Sequence, residues 1–332
     1  MNRPLRRAAL AASVAISAVL ALAGCGLQPA ASFVPEVHSG SIKPVKGLPA
    51  DASVIVTSKN FTEQILLGKI AVLALTAAGF HVTDETNVPG SQAVRQLMLA
   101  GDADVEYDYT GTAWLTYLGK TTGIADQNEQ YEAVRRADAA NGLTWLPVTP
   151  MNDTYALAST SAGATKLGVT SLSDIATLPV DERTFCVESE FNSRPDGFRP
   201  MLEKYGLELG GSGANRVPAK NVSVLDTGTV YTATAQGKCN FGEVFTTDGR
   251  IGSLHLKVLT DDKHFFPAYN GSPVVNTQTL KKYPQIATVL NRLSPKLTND
   301  VLVSLNRKVD VLGQDPGQVA SDWLVKEGFL TK

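Results

Sequence analysis

Cysteine, histidine and excess charge are all scarce in this 332-residue chain, which has 3 Cys, 4 His and a formal net charge of −2. It contains no G-x-x-x-x-G-K-[ST] phosphate loop, no H-E-x-x-H motif and no paired C-x-x-C units. The histidines are scattered, and none lies beside a motif typical of an activated nucleophile. With 30 Lys and Arg against 32 Asp and Glu, the chain lacks the basic field that attracts nucleic acid. We therefore expect no metal, no other cofactor, no enzymatic activity and no nucleic-acid partner.

The beginning of the chain has the features of an export signal. Three arginines precede a small, apolar run over residues 8–22, and the run ends at Leu22-Ala23-Gly24-Cys25. This run is too short to span a bilayer comfortably, and small residues before a cysteine are typical of a lipoprotein signal. An ordinary membrane anchor with an incidental cysteine is the alternative. We predict a signal peptide over residues 1–24 and lipidation of Cys25, which would hold the protein at the extracytoplasmic face of a bacterial cytoplasmic membrane.

The segment after Cys25 has the composition of a linker. Residues 25–52 contain four prolines together with Ser, Gly and Ala, and they show neither helical nor strand periodicity. Such a composition is typical of flexible connections. We therefore predict a tether over residues 25–52 and a folded part that begins near Ser53.

Cys186 and Cys239 remain after Cys25 is assigned to the lipid. An exported protein lies in an oxidising compartment, where disulfides persist. Each of the two cysteines is near the start of a predicted strand, so a bridge requires only that these strands be neighbours. We predict a Cys186–Cys239 disulfide, with two buried thiols as the alternative.

From Ser53 onward, apolar strands alternate with amphipathic helices. Strand patterns over residues 54–58, 81–85 and 104–109 are separated by helical patterns over 62–78 and 92–100. This alternation predicts an α/β fold with mostly parallel strands. The last sixty residues predict successive helices, with Pro284, Thr298 and Ser321 near their starts.

Two segments of the folded part resemble each other. Residues 100–112 align with residues 236–248 without a gap, and both pass from a helix through a glycine into a strand that ends in an aromatic residue. A cation, Lys59 or Arg194, lies near another strand end in each half. Ligands of open α/β sheets bind at the carboxyl ends of the strands, where helix N termini favour anions. The repeat therefore predicts two similar lobes that face one ligand.

Aromatic side chains occur at unusual places in this pattern, beside Gly, Asn and Asp at strand ends. Several rings that converge there would suit a cationic, apolar ligand such as a quaternary ammonium. Lys59 and Arg194 could hold a carboxylate at the other end of that ligand. Taken singly, each ring is equally compatible with core packing and each cation with the solvated surface. The acidic residues at 102, 104, 106 and 108 are expected mostly to face water or to cap helices.

Six segments resemble the signature segments of a known family: SKNFTEQILLG (58–68), EYDYTGT (106–112), NDTYALA (152–158), RPDG (194–197), FTTDGRI (245–251) and FFPAYN (265–270). They are similar to the ABC-transporter substrate-binding proteins for compatible solutes, of the ProX, OpuC and OsmF type. The resemblance runs from about Ser53 to the end of the chain. It implies a two-lobed type II periplasmic-binding fold that closes on glycine betaine, choline, carnitine or a related osmolyte and delivers it to permease subunits with a separate ATPase.

The resemblance also implies a role for individual residues. Lobe 1 would comprise residues 53–150 and 266–332, lobe 2 would comprise residues 151–265, and the two crossings would form a hinge. The implied ligand-binding residues are an aromatic box of Tyr109, Tyr155, Phe245 and Tyr269, the backbone carbonyl of Asp153, and a carboxylate clamp of Lys59, Thr112 and Arg194. Phe245 departs from the family, whose box positions are often all tyrosine. A receptor for another small zwitterion, amine or aromatic solute stays open as an alternative.

Overall fold

The computed structural model describes residues 34–332. The predicted signal peptide and Cys25 lie outside the described residues. Within residues 34–332, no helix has the length and apolar character needed to cross a bilayer.

The strands and helices are numbered in chain order. The strands are β1 (His38–Ser39), β2 (Ser53–Lys59), β3 (His81–Val88), β4 (Val105–Tyr109), β5 (Leu143–Trp145), β6 (Tyr155–Thr160), β7 (Phe185–Glu188), β8 (Glu208–Leu209), β9 (Arg216–Val217), β10 (Val222–Leu225), β11 (Phe241–Phe245), β12 (Leu256–Val258), β13 (Gly271–Asn276) and β14 (Leu330–Thr331). The helices are α1 (Thr62–Ala77), α2 (Ser91–Ala100), α3 (Thr110–Thr112), α4 (Gln127–Asp138), α5 (Ser161–Leu167), α6 (Ser189–Ser193), α7 (Phe198–Lys204), α8 (Thr227–Ala235), α9 (Arg250–Ser253), α10 (Thr277–Lys282), α11 (Gln285–Leu293), α12 (Asn299–Asp310) and α13 (Pro316–Lys326).

Two five-stranded sheets form the centres of two lobes. The sheet of lobe 1 has the order β3-β2-β4-β13-β5, and the sheet of lobe 2 has the order β10-β7-β11-β6-β12. The first three strands of each sheet are parallel, whereas the last two pairings are antiparallel. β5 and β12 pair antiparallel with the reversed strands β13 and β6, so four of the five strands in each sheet run in the same direction and the prediction of mostly parallel strands is confirmed. β6 and β13 follow directly after the chain crosses between lobes, so each enters its sheet in the opposite direction.

The two crossing segments, residues 146–154 and 259–270, run side by side between the lobes. The Asp153 N–H donates to the Tyr269 carbonyl at 3.1 Å, and the Tyr269 N–H donates to Asn152 Oδ1 at 2.7 Å. Asn270 Nδ2 donates to the Met151 carbonyl at 2.9 Å. The lobes are thus joined by a hydrogen-bonded pair of chain segments.

Helices cover both sheets and bury their apolar residues. Thirteen of the sixteen residues of α1 are buried, because this helix lies between the sheet of lobe 1 and the C-terminal helices. Thr298 caps α12 by accepting from the Val301 N–H, as its position predicts. Ser321 does not begin a helix, since it is buried within α13, which starts from an Asp315 cap with Pro316 in its first turn.

The second half of the predicted tether is fixed to lobe 1. β1 pairs antiparallel with β14 at the other end of the chain. The Ile42 N–H donates to the Phe329 carbonyl at 3.0 Å, and the Ile42 side chain is buried. A flexible tether up to residue 52 is therefore wrong for residues 38–52. The segment shows no periodicity because main-chain bonds to a distant part of the sequence hold it.

A disulfide joins Cys186 of β7 to Cys239, which lies two residues before β11. The Cα atoms are 5.8 Å apart, and both residues are buried. β7 and β11 are neighbouring parallel strands of lobe 2, so the pairing that the bridge requires is present.

Candidate ligand-binding site

A cavity between the lobes brings together all eight residues that the sequence nominated for ligand binding. These are Lys59, Tyr109, Thr112, Asp153, Tyr155, Arg194, Phe245 and Tyr269. Six further residues complete the lining: Asn60, Phe61, Ser91, Glu188, Glu190 and Thr227. Lobe 1, lobe 2 and both crossings contribute to this wall, so the cavity exists only when the lobes meet.

Strand ends position most of these side chains. Lys59 and Tyr109 are the last residues of β2 and β4, which are neighbours in lobe 1. Phe245 is the last residue of β11, which occupies the position in lobe 2 that β4 occupies in lobe 1. The gapless alignment of residues 100–112 with 236–248 therefore matches the three-dimensional arrangement.

The helices that precede β4 and β11 stop at equivalent glycines, Gly101 and Gly237. Their φ angles are 78° and 73°, in the left-handed region that favours glycine. Each glycine releases the chain from its helix shortly before the strand begins. A glycine that ends the preceding helix thus leads the chain into the strand of Tyr109 and into the strand of Phe245 in the same way.

The aromatic rings contact one another across the cavity. The ring centroids of Tyr155 and Phe245 are 5.2 Å apart, and those of Tyr155 and Tyr269 are 5.5 Å apart at an interplanar angle of 89°. Phe61 stacks on Phe245 at 5.0 Å and on Tyr109 at 6.2 Å. The rings therefore form a continuous apolar surface with several π faces.

Sequence reasoning missed Phe61 as part of this surface. Phe61 lies two residues after Lys59, in the turn that leads from β2 into α1. Its place at the same strand end as Lys59 is the signal that could have identified it.

Each predicted cation already has a carboxylate partner. Lys59 Nζ forms a buried ion pair with Asp108 and lies 5.1 Å from the centre of the Tyr109 ring. Asp108 and Glu106 are each 1% exposed, so the expectation that the acidic run faces mostly water is wrong for these two residues. All five residues of β4 are buried, so the face of the strand that carries both Glu106 and Asp108 is covered as well as the opposite face.

Arg194 is held by two acidic residues of lobe 2. Its Nε and one terminal nitrogen donate to the two oxygens of Asp196 at 2.8 and 2.6 Å, and the other terminal nitrogen donates to Glu190 at 3.0 Å. The terminal nitrogen that contacts Asp196 also donates to Thr112 Oγ1 of lobe 1 at 3.3 Å. Although burial opposes the charge, the electrostatic fields of Tyr155 and Asp196 keep the pKa of Arg194 well above its usual value.

Glu190 links the lobes by capping a helix across the cavity. Helix α2 follows Gly90, which has no side chain to cap it, and the Ser91 N–H donates instead to Glu190 Oε2 at 3.1 Å. The Ser91 hydroxyl donates to the same carboxylate. Burial opposes ionisation, but the Ser91 hydrogen bonds and the Arg194 charge hold the pKa of Glu190 below its usual value. Closure of the lobes therefore gives hydrogen-bond partners both to the N terminus of α2 and to the Glu190 carboxylate.

A second set of contacts joins the lobes beside Tyr109. Asn306 Nδ2 of lobe 1 donates to the Thr247 carbonyl of lobe 2 at 3.0 Å, and the Thr247 hydroxyl donates to the Glu63 carboxylate. Arg250 of lobe 2 lies 3.6 Å from Asp310 of lobe 1. The cavity is thus closed from two sides.

Comparison with known proteins agrees with this arrangement. The family described as the substrate binding domain of ABC-type glycine betaine transport system matches residues 52–326. The chain is 35% identical over 292 residues to a glycine-betaine-binding protein of Pseudomonas aeruginosa, covering 86% of this chain and 91% of that protein. It is 31% identical over 278 residues to the ergothioneine transport permease/ergothioneine binding protein EgtU of Helicobacter pylori, covering 83% of this chain and 48% of that protein, so it spans about half of that relative.

The fold has close counterparts among solved structures. A crystal structure of a glycine betaine/carnitine/choline ABC transporter matches with a TM-score of 0.67 and 26% identity, covering 83% of this chain and 99% of that chain. The predicted resemblance and the two-lobed type II periplasmic-binding fold are confirmed. The chain therefore belongs to the family of substrate-binding domains of ABC-type glycine betaine transport systems.

Proposed function

We propose that this protein is the extracytoplasmic substrate-binding subunit of an ABC importer for a quaternary-ammonium osmoprotectant such as glycine betaine, choline or carnitine. The carrying observation is that Tyr109, Tyr155, Phe245 and Tyr269, which come from both lobes and one crossing, line one cavity. A quaternary ammonium has no N–H to donate, so π faces and carbonyl oxygens are the groups that recognise it. In this proposal the four rings surround the ammonium and the Asp153 carbonyl faces it.

The contacts of such a site are sufficient for micromolar binding. Micromolar affinity corresponds to about 8 kcal/mol. A desolvated cation–π contact contributes about 2 kcal/mol, so several rings together with a paired carboxylate reach that range even without full additivity. A single ring would fall short.

The carboxylate of a zwitterionic ligand would bind Lys59, Thr112 and Arg194. The 3.3 Å contact between Arg194 and Thr112 supports this grouping, because it brings together a lobe 2 cation and a lobe 1 hydroxyl. Since both cations already have acidic partners, a ligand carboxylate would compete with Glu190 for Arg194. We therefore expect Arg194→Ala to weaken glycine betaine binding more than choline binding, because choline has no carboxylate. Equal losses for the two ligands would contradict the clamp.

The proposed partners follow from the family. The closed protein would dock on permease subunits driven by a separate ATPase, with residues 53–150 and 266–332 as lobe 1, residues 151–265 as lobe 2 and the crossings as the hinge. Lipidation of Cys25 would keep the protein at the membrane, and metabolic labelling with palmitate should disappear in Cys25→Ala.

Calorimetric titration with a ligand panel tests the proposal. The purified protein would be titrated with glycine betaine, choline, carnitine, proline betaine, ergothioneine and proline. We expect micromolar binding of at least one of the small quaternary ammonium compounds and much weaker binding of proline, whose secondary ammonium carries hydrogen-bond donors. The absence of both heat and thermal stabilisation with every quaternary ammonium would refute the proposal. A clear preference for ergothioneine would show that the ligand is a bulkier aromatic solute and not a small osmoprotectant.

A further inference from the structure

Glu63 does not line the cavity, yet it contacts Tyr109, which does. The Tyr109 hydroxyl donates to Glu63 Oε1 at 2.8 Å. Asn306 Nδ2 donates to Glu63 Oε2 at 3.2 Å, and the Thr247 hydroxyl donates to the same oxygen. The residue is 3% exposed. Three donors from three different parts of the fold therefore converge on one buried carboxyl group.

These contacts favour the ionised form of Glu63. An ionised carboxylate only accepts hydrogen bonds, and all three of its neighbours donate. Burial raises the pKa of Glu63 above its usual value, and the hydrogen bonds with Thr247, Tyr109, Asn306 and Asp153 offset only part of that rise. Burial and the nearby Glu63 charge raise the pKa of Asp153 well above its usual value. The three donated hydrogen bonds therefore favour Glu63 as the member of this pair that carries the negative charge.

Within residues 34–332, no lysine or arginine forms an ion pair with Glu63. Among the same described residues, other buried carboxylates form ion pairs, including Asp108 with Lys59, Asp138 with Arg95, and Asp196 with Arg194. Glu106, Asp153 and Glu243 are also buried and form none, and what distinguishes Glu63 from them is the set of three side-chain donors that it accepts. A buried charge without a partner is costly, so its retention needs a reason. The aromatic box itself supplies no negative charge to balance its proposed cationic ligand, because its rings are neutral.

We propose that Glu63 is the counter-charge for the ligand's ammonium group and that it acts through Tyr109. The hydrogen bond from the Tyr109 hydroxyl to Glu63 places the carboxylate charge at the edge of a ring that lines the cavity. In a buried environment this charge attracts the cation, and it increases the electron density of the Tyr109 ring. Glu63 is thus a positioning residue that selects charged over uncharged ligands of the same shape. This inference rests on the proposed function, since it requires a cation in the box.

A pair of isosteric ligands isolates this effect. Glycine betaine and 3,3-dimethylbutanoate share shape and carboxylate, but a carbon replaces the ammonium nitrogen in the second. By Coulomb's law, two charges about 8 Å apart at an effective dielectric constant of about 20 change binding about thirtyfold. We therefore expect Glu63→Gln to reduce the ratio of glycine betaine affinity to 3,3-dimethylbutanoate affinity by at least about tenfold.

Two further variants separate charge from structure. Thr247→Val removes a contact between the lobes but keeps the Glu63 carboxylate, so both affinities should fall while their ratio stays the same. Tyr109→Phe keeps the ring and the Glu63 charge but breaks the bond between them, so the ratio should fall by less than in Glu63→Gln, and the double variant should fall about as far as Glu63→Gln alone. If Glu63→Gln fails to fold, Tyr109→Phe still measures the link.

The outcomes distinguish this inference from the proposed function. If wild-type protein binds glycine betaine and the affinity ratio is unchanged in Glu63→Gln or, should that variant not fold, in Tyr109→Phe, Glu63 has a purely structural role and the inference is overturned. If wild-type protein does not bind glycine betaine, the proposed function fails and the inference falls with it.

Discussion

Replacement of Tyr155 by alanine is the most direct perturbation of the proposed aromatic box. Tyr155 is the first residue of β6, immediately after the first crossing between the lobes. Its ring lies 5.2 Å from Phe245 and meets Tyr269 edge-on at 5.5 Å. Removal of the ring would therefore open the wall between lobe 2 and the second crossing.

The magnitude follows from the contacts that are lost. Loss of a desolvated cation–π contact costs about 2 kcal/mol of binding free energy. Loss of the edge-to-face pair with Tyr269 costs about 1 kcal/mol more, because that pair positions a second ring of the box. Since about 1.4 kcal/mol corresponds to a tenfold change in affinity, Tyr155→Ala should weaken glycine betaine binding between about thirtyfold and about 150-fold.

Calorimetric titration at 25 °C would measure this change against two controls. Tyr155→Phe retains the ring and should bind within about threefold of wild type. Tyr283→Ala removes a buried ring that packs against Phe80 in lobe 1 and does not line the cavity. This control should lose about 3–5 kcal/mol of stability without a change in affinity.

Unchanged affinity in a folded Tyr155→Ala protein would refute the box. A loss of the same size in Tyr155→Phe would also contradict the reasoning, because the hydroxyl rather than the π face would then recognise the ligand. Circular dichroism and a thermal melt would establish that each variant is folded at the temperature of the titration.

Three further predictions concern the disulfide, a buried acid and the contact between the lobes. The Cys186–Cys239 bridge spans a sequence separation of 53, so replacing both cysteines by alanine should lower the free energy of unfolding by about 4 kcal/mol; an unchanged urea midpoint would contradict this. Burial raises the pKa of Glu243 from 4.5 to about 8, so the folded protein retains a proton that the unfolded chain releases, and its contribution to stability should be lost as the pH rises from 4.5 through 8. Glu243→Gln should flatten this pH dependence in urea titrations, and an identical slope would exclude Glu243 as its source. Glu190→Gln should weaken the cap on Ser91 and speed ligand dissociation about tenfold in stopped-flow measurements, because charge-assisted bonds are about twice as strong as neutral ones; an unchanged rate would show that this contact does not hold the lobes closed.

Residues at strand ends were predictable because they follow a local rule. Lys59, Tyr109 and Phe245 each end a strand, and the carboxyl ends of parallel strands meet at one edge of a sheet. The alignment of residues 100–112 with 236–248 then placed Tyr109 and Phe245 in equivalent positions of two lobes. The sheet orders confirm that equivalence.

Charge pairing was not predictable in the same way. Asp108 is 49 residues from Lys59 in sequence, yet the two form a buried ion pair. Strand alternation predicted that most of the acidic run would face water, but β4 is buried on both faces. Periodicity reports the burial of one element and carries no information about which distant side chain lies opposite.

The sequence by itself determined the alternating strands and helices, the family and the rings and cations that meet at the cavity. Each of these depends on short-range patterns or on motifs a few residues long. Only the tertiary structure decided the reversed direction of β6 and β13, the attachment of residues 38–52 to lobe 1 and the position of Glu63 behind Tyr109. These features depend on where the chain crosses between lobes and on contacts between residues far apart in sequence, which local patterns do not encode.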